Sequence, residues 1–396
     1  MNRYFSHLNT AVSILQAYNG DKPFIHFLKA FFKQERKYGS KDRKNISNLC
    51  YSYFRSGKSL KGIDLEKQVI YSLFLVSTEA GMVLETLQPD LNNFYATSTD
   101  LSLSARIQHL QNNCPEFDPN QIFSFSQPLS DGIIAKELAV SHFIQPEFFL
   151  RIRPGKKDSV VNALNRNSIS YSLIGSDTIV LPNGTNIDVS LHPDADAVVQ
   201  DLKSQQTATL LNYIHVDRPP ISIWDCCAAS GGKSIMAYDY FKSARLTVSD
   251  KRPSILTNLQ LRFKNAGIPI NNIFCTDLAI EKQSKGEYDL VIADLPCSGS
   301  GTWGRAPENL LFFDEKQVSE YASLQKKILH NIAHSIRPGG YLLYITCSIF
   351  RMENEMNRDE IAKLSGMRLI ESKVLKGYNE KADTMFAALF QLEKTT

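Results

Sequence analysis

From residue 218 onward the chain alternates short apolar runs with stretches of helical period, and few folds satisfy that alternation. Strands are expected at 221–226, 245–249, 272–276, 288–294, 341–347 and 385–392, and helices at 232–241, 253–266, 314–336 and 353–365. Repeated strand–helix–strand units build a parallel sheet covered by helices on both faces. The runs near 367–376 and 385–392 have no helix between them, so they are expected to pair antiparallel at the sheet edge. The fold class is α/β, with a doubly wound, Rossmann-like sheet.

Two zones precede the sheet. Residues 1–140 read as all-α: "TAVSILQAY", "PFIHFLKAFFKQ", "KNISNLCYSYFR" and "EKQVIYSLFLVS" each space apolar residues for one helix face. Between two of these, residues 33–44 carry six cations, among them Lys37, Lys41 and Arg43, against Glu35 and Asp42. Such a patch is either a solvated loop with a helix start or a phosphate-contacting surface. Residues 141–205 read as a small α+β unit, with strands in "FFLRIRPG" and "TIVLPNGTNIDVSL", a helix between them and a hairpin turn at Asn183-Gly184. Arg151 and Arg153 lie on its first strand and extend the candidate RNA surface.

The chain has 396 residues, and 43% hydrophobic with 21% charged content fits a soluble globular protein. No apolar run approaches the roughly 20 residues of a membrane span, and the first twenty residues lack the pattern of a secretory signal. Seven cysteines without a C-x-x-C pair argue against a disulfide framework and against zinc, and fit the cytoplasm. His330 and His334 are four apart on a helix, but Asn331 stands where a metalloprotease needs glutamate, so no metal is expected. A net charge of +3 leaves nucleic-acid affinity to local patches.

The first strand of the sheet runs into "WDCCAASGGKS", residues 224–234. A phosphate-wrapping P-loop needs a glycine where Cys227 stands, and Asp225 would face the phosphates, so nucleotide triphosphates fit poorly. Strand-end acids then accumulate. Asp250 closes the second strand 17 residues past Lys233, where a carboxylate can accept both ribose hydroxyls of an adenosine. Asp277 can read the adenine amino edge, and Asp294 closes the fourth strand. A nicotinamide dinucleotide would want G-x-G-x-x-G, which is absent.

Two cysteines leave their strands at the same edge, Cys297 in "DLPCSGSGTWGRAPE" and Cys347 in "YLLYITCSIFRMENE". Thiols among Gly, Ser and Thr at a ligand edge occupy the positions of reactive cysteines. A doubly wound sheet ending in an antiparallel pair is, by analogy of fold only, the usual shape of S-adenosylmethionine-dependent methyltransferases, and a methyl donor beside a thiol would point to carbon 5 of a pyrimidine. That carbon attacks a sulfonium methyl only after a thiolate has added at carbon 6.

Together, "DCCAASGGK", "DLPCSGSGTWGR", "LQKKILHNIAHSIRPGGYLLYITCSIFRMENE" and the late "ADTMFAALFQL" resemble RNA (cytosine-5)-methyltransferases of the Sun/RsmB type. "RKYGSKDRKNISNLCYSYFR" resembles the NusB-like helical domain at the N-terminus of that family's ribosomal members. The resemblance implies a helical RNA-binding domain at 1–140, a small α+β RNA-binding subdomain at 141–205 and a catalytic domain at 206–396. It implies S-adenosylmethionine as methyl donor, held by Cys227, Ala228, Ala229, Ser230, Gly231, Gly232, Lys233, Asp250, Asp277 and Asp294. It makes Cys347 the nucleophile and Cys297 the helper in product release, and it adds Arg305 to the RNA contacts. The implied substrate is rRNA, 16S in particular, handled by a monomer; tRNA and a non-catalytic assembly factor are the alternatives. Ser230 replaces the family's usual proline and should loosen the turn; Ile255 and the single Arg305 depart where arginines are common.

Overall fold

The computed structural model describes residues 2–394 apart from 124, 218 and 283–287. It packs as two compact units. One comprises Met1–Ser126, Ile134–Gln145 and Trp303–Asp314; the other comprises Gln127–Ile133, Pro146–Thr302 and Glu315–Thr396.

The first unit is helical, as its periodicity requires. Helices Arg3–Ala17, Phe24–Gln34, Ser40–Arg55 and Leu65–Val76 turn Leu8, Ile14, Phe24, Phe54 and Phe74 inward. The third starts at Gly39, whose N–H is accepted by the Asp42 carboxylate at 3.2 Å, the reciprocal half of a capping box. The segment Trp303–Asp314 packs here although its sequence neighbours lie in the sheet zone. Trp303 is buried against Phe123, Phe125 and Phe313, and the Glu308 carboxylate accepts the Phe24 N–H at 3.0 Å.

The second unit begins with a small antiparallel sheet of β1 (Phe148–Ile152), β2 (Ser172–Ile174), β3 (Thr178–Leu181) and β4 (Ala197–Val199), in the order β2-β3-β1-β4. Helix Lys157–Arg166 covers it, and Leu150, Val160, Leu164, Ile179 and Leu191 form its own core. The chain does turn at Asn183-Gly184, but no strand returns from it. A 3-10 turn, Ile187–Val189, follows, because Ile187 and Leu191 enter the core four residues apart, a helical rather than an alternating spacing. The hairpin is β2–β3, closed through Gly175 at φ +63°.

The large sheet comprises β5 (Ser222–Asp225), β6 (Arg245–Asp250), β7 (Asn272–Cys275), β8 (Tyr288–Asp294), β9 (Ile336–Thr346), β10 (Met367–Leu375) and β11 (Met385–Leu392). Its order is β10-β11-β9-β8-β5-β6-β7, with β5 to β9 parallel and β11 antiparallel to both neighbours. The run Leu290–Ala293 of β8 and the run Tyr341–Ile345 of β9 are buried at every position because both faces are covered. Ile223, Val248, Leu290 and Leu343 bury toward Leu259 and Phe263, while Trp224, Val291 and Leu342 bury toward Ile328 and Ile332. The doubly wound α/β fold and the antiparallel edge pair are those expected.

Candidate active site

The strand order reverses between β5 and β8, the point at which open α/β sheets bind ligands outside the strands' carboxyl ends. A cleft of about 390 Å³ lies there, with Cys227, Asp250, Asp277, Asp294, Cys297 and Cys347 in its wall. These six come from the ends of five strands, far apart in sequence.

The turn after β5 is tight. Ala229 sits at φ +45° and Gly231 at φ +86°, and a Cβ on Gly231 would lie 2.7 Å from the Phe263 ring. Of residues 227–233, Cys227 and Ala229 reach the cleft wall, while Ala228, Ser230, Gly231 and Gly232 build the turn behind it. Ser230 does not leave the turn loose. Arg262 donates to both its carbonyl and its hydroxyl at 2.9 Å and is itself ion-paired with Asp194 at 2.6 Å. Lys233 is buried, 2.7 Å from the Ser204 hydroxyl and 3.1 Å from the Asp294 carboxylate.

The acids differ in state. Asp225 is fully buried at the end of β5; burial pushes its carboxyl up to about 7, although the Ser234 hydroxyl donates to Oδ2 at 2.6 Å. Its Oδ1 has no hydrogen-bond partner among the described residues. Burial would also raise the Asp250 carboxyl, but hydrogen bonds from Arg252, with another from the Ala229 N–H, outweigh it and hold it low. Asp277 accepts the Ala279 N–H at 3.0 Å and remains part-exposed.

Cys297 follows β8 and Cys347 follows the adjacent β9; their sulfurs lie 3.2 Å apart, and both are free thiols. The hydrogen bond with Cys347, reinforced by burial, pushes the Cys297 thiol well above its ordinary range. The loops interlock through backbone. The Gly301 N–H donates to the Cys347 carbonyl at 2.9 Å, and the Gly301 carbonyl accepts the Thr384 N–H at 2.9 Å. A Cβ on Gly301 would stand 1.9 Å from the Thr384 carbonyl oxygen, so this glycine is required.

The cationic residues divide. Lys37, Lys41, Arg43 and Arg305 are exposed in the helical unit; Lys37 pairs with Glu35 at 3.2 Å, and the Arg43 guanidinium lies over Phe32. Arg151 and Arg153 correct the expectation. Both are largely buried and bind the two oxygens of Asp239 at 2.7 Å, so a protein carboxylate engages both guanidinium groups and offsets one of their two charges. Sequence reasoning also missed residues that shape the site: Arg252, Arg262, Ser298, Ser348 and Glu353. The run "MENE" after Cys347 was the one available signal, because polar residues buried behind a strand carry no hydropathy signature.

The sequence and structure have relatives. Residues 209–390 match the family model described as 16S rRNA methyltransferase RsmB/F. Ribosomal RNA small subunit methyltransferase B of Shewanella oneidensis is 31% identical over 209 residues, 52% of this chain and 47% of that protein. The 28S rRNA (cytosine-C(5))-methyltransferase of Mus musculus is 30% identical over 175 residues, 42% of this chain and 21% of that protein. The chain thus spans about half or less of the length of these two relatives. The crystal structure of PH0851 superposes with a TM-score of 0.68 at 19% identity, covering 99% of this chain and 98% of that one, a likeness of fold. The stretch similar to the RsmB/F methyltransferase family, residues 209–390, is the one that carries the glycine turn and both cysteine loops.

Proposed function

We propose that this protein transfers a methyl group from S-adenosylmethionine to carbon 5 of a cytosine in RNA, with small-subunit (16S) rRNA as the substrate. The observation that carries the reading is the thiol pair, two free cysteines with sulfurs 3.2 Å apart at the wall of a cleft bordered by strand-end acids. The names of the bacterial and mouse relatives support rRNA over tRNA. We take the chain to act in the cytoplasm as a monomer, with residues 1–140 and 141–205 as RNA-binding modules ahead of a catalytic domain at 206–396.

The residues fit the methyl donor. Asp250, held ionised by Arg252, suits ribose hydroxyls, and Asp277, in the wall of the same cleft, suits an adenine amino group. When bound, S-adenosylmethionine supplies an electrophilic methyl group. The protein makes carbon 5 nucleophilic. The Cys347 thiolate forms a bond to carbon 6, and the ring's electron pair moves to make carbon 5 enamine-like. Lys233 and Asp294 form an ion pair at the cleft edge that can orient the base. Once carbon 5 carries the methyl, its proton must leave to a base; the double bond re-forms and the Cys347 thiolate is expelled. Cys297 suits that later step. The hydrogen bond that holds its proton comes first of all from Cys347, and this hold disappears when the Cys347 sulfur is committed to carbon 6.

The test is direct. Purified protein is incubated with S-adenosylmethionine and, separately, with 16S rRNA, 30S particles or tRNA, and the digested RNA is analysed by nucleoside mass spectrometry and bisulfite sequencing. One 5-methylcytosine in 16S rRNA is expected. Product in tRNA alone would transfer the activity to the tRNA reading, and no product on any RNA would favour a binding factor that kept the fold.

A further inference from the structure

Beneath the cleft, one carboxylate joins the two cysteine loops. Glu353 is fully buried six residues after Cys347. Its Oε1 accepts the Ser298 N–H at 2.8 Å and the Gln325 side-chain amide at 3.2 Å. Its Oε2 accepts the Ser298 hydroxyl at 2.6 Å and the Ser348 hydroxyl at 2.5 Å. Ser298 follows Cys297 and Ser348 follows Cys347, so a single side chain grips the residue next to each thiol.

The surroundings keep this grip rigid. The Tyr344 hydroxyl donates to the Glu353 carbonyl at 2.5 Å, and the Asn357 amide donates to Gln325 Oε1 at 2.6 Å. Asn354 donates to Ser130 and to the Ser348 carbonyl. Among the described residues no cation pairs with Glu353. Burying a carboxylate without a counter-charge is costly, and filling the space alone would need no charge. Four donors converge on two oxygens, an arrangement that a carboxylate satisfies and an amide satisfies only by reversing both serine hydroxyls.

We infer that Glu353 is the positioning residue of the thiol pair: its carboxylate locks the Cys297 and Cys347 loops together, so that both sulfurs address one pyrimidine ring. The inference rests on the thiol chemistry proposed above. Glu353 touches no reacting atom and acts through the two serines. Its loss lets the loops separate, and misplacement of this kind lowers the chemical step while leaving binding alone.

The experiment compares wild type with Glu353→Gln, which preserves shape. Methyl transfer is measured in a single turnover, with separate titrations of S-adenosylmethionine and RNA and a thermal melt. We expect a rate loss of about 10²-fold, with both affinities and the melting midpoint close to wild type. An unchanged rate overturns the inference, and so does a loss of affinity that accounts for the loss of rate. If Glu353→Gln does not fold, the Ser298→Ala/Ser348→Ala double variant, which keeps the carboxylate but removes one grip on each loop, is held to the same split. A wild type that makes no 5-methylcytosine would sink the proposed function; an active wild type with an equally active Glu353→Gln would sink this inference alone.

Discussion

Asp225 and Asp250 end neighbouring strands yet are pushed in opposite directions, and the difference is measurable. Asp225 is raised to about 7 by burial, so between its unfolded value near 3.8 and about 7 the folded state holds a proton that the unfolded state has lost. Stability from this group is therefore full below about pH 4 and falls as pH rises toward 7, by at most about 4 kcal/mol at 1.36 kcal/mol per unit. Asp225→Asn should flatten that fall, which melts of the ligand-free protein between pH 4 and 7 will show; a slope equal to wild type would contradict it. Asp250 is held low by its hydrogen bonds from Arg252 and the Ala229 N–H. Asp250→Ala should weaken S-adenosylmethionine binding by about 2 kcal/mol, the scale of a hydrogen bond to a charged group, as read by calorimetry. The spacing past the glycine turn makes Asp250 legible from sequence. The position of Asp225 at a strand end is legible too, but its raised carboxyl is not, because that comes from desolvation that only packing reveals.

The elements show where pattern reading succeeds. Strands β5 to β9 and the antiparallel β10–β11 pair follow from runs whose period and length have one interpretation. The segment after Asn183-Gly184 was ambiguous, since Ile187 and Leu191 serve a helical turn as well as a strand. Arg151 and Arg153 misled for a related reason: a charged strand residue reads as exposed until its partner is known, and Asp239 lies on a helix 86 residues beyond Arg153. Asp239→Ala should leave two buried guanidinium groups uncompensated and destabilise the protein by about 3–5 kcal/mol, measurable in urea. A cost below about 1 kcal/mol, the range of a surface ion pair, would show that pair to be dispensable. Gly301 belongs to this scale too, because its missing side chain is what allows the Cys297 loop to lie on the Thr384 carbonyl.

For the whole molecule, the RNA grip and the chemistry can be separated. With Arg151 and Arg153 engaged by Asp239, the exposed Lys37, Lys41 and Arg43 are the proposed phosphate contacts of the helical unit. Replacing Lys41 and Arg43 by alanine should flatten the log–log dependence of RNA affinity on salt by about 1.8, and an unchanged slope would mean that those charges are merely solvated. The chemistry has its own signature, because the two thiols should fail differently. RNA is incubated with S-adenosylmethionine and each single variant, then resolved on a denaturing gel. Cys297→Ala should accumulate a protein–RNA band that survives denaturation and disappears with RNase, since addition and methyl transfer proceed while release does not. Cys347→Ala should bind RNA yet give neither band nor product, and the double variant no band. A band from Cys347→Ala in place of Cys297→Ala would reverse the assignment, and full activity of both single variants without any band would contradict the thiol mechanism itself.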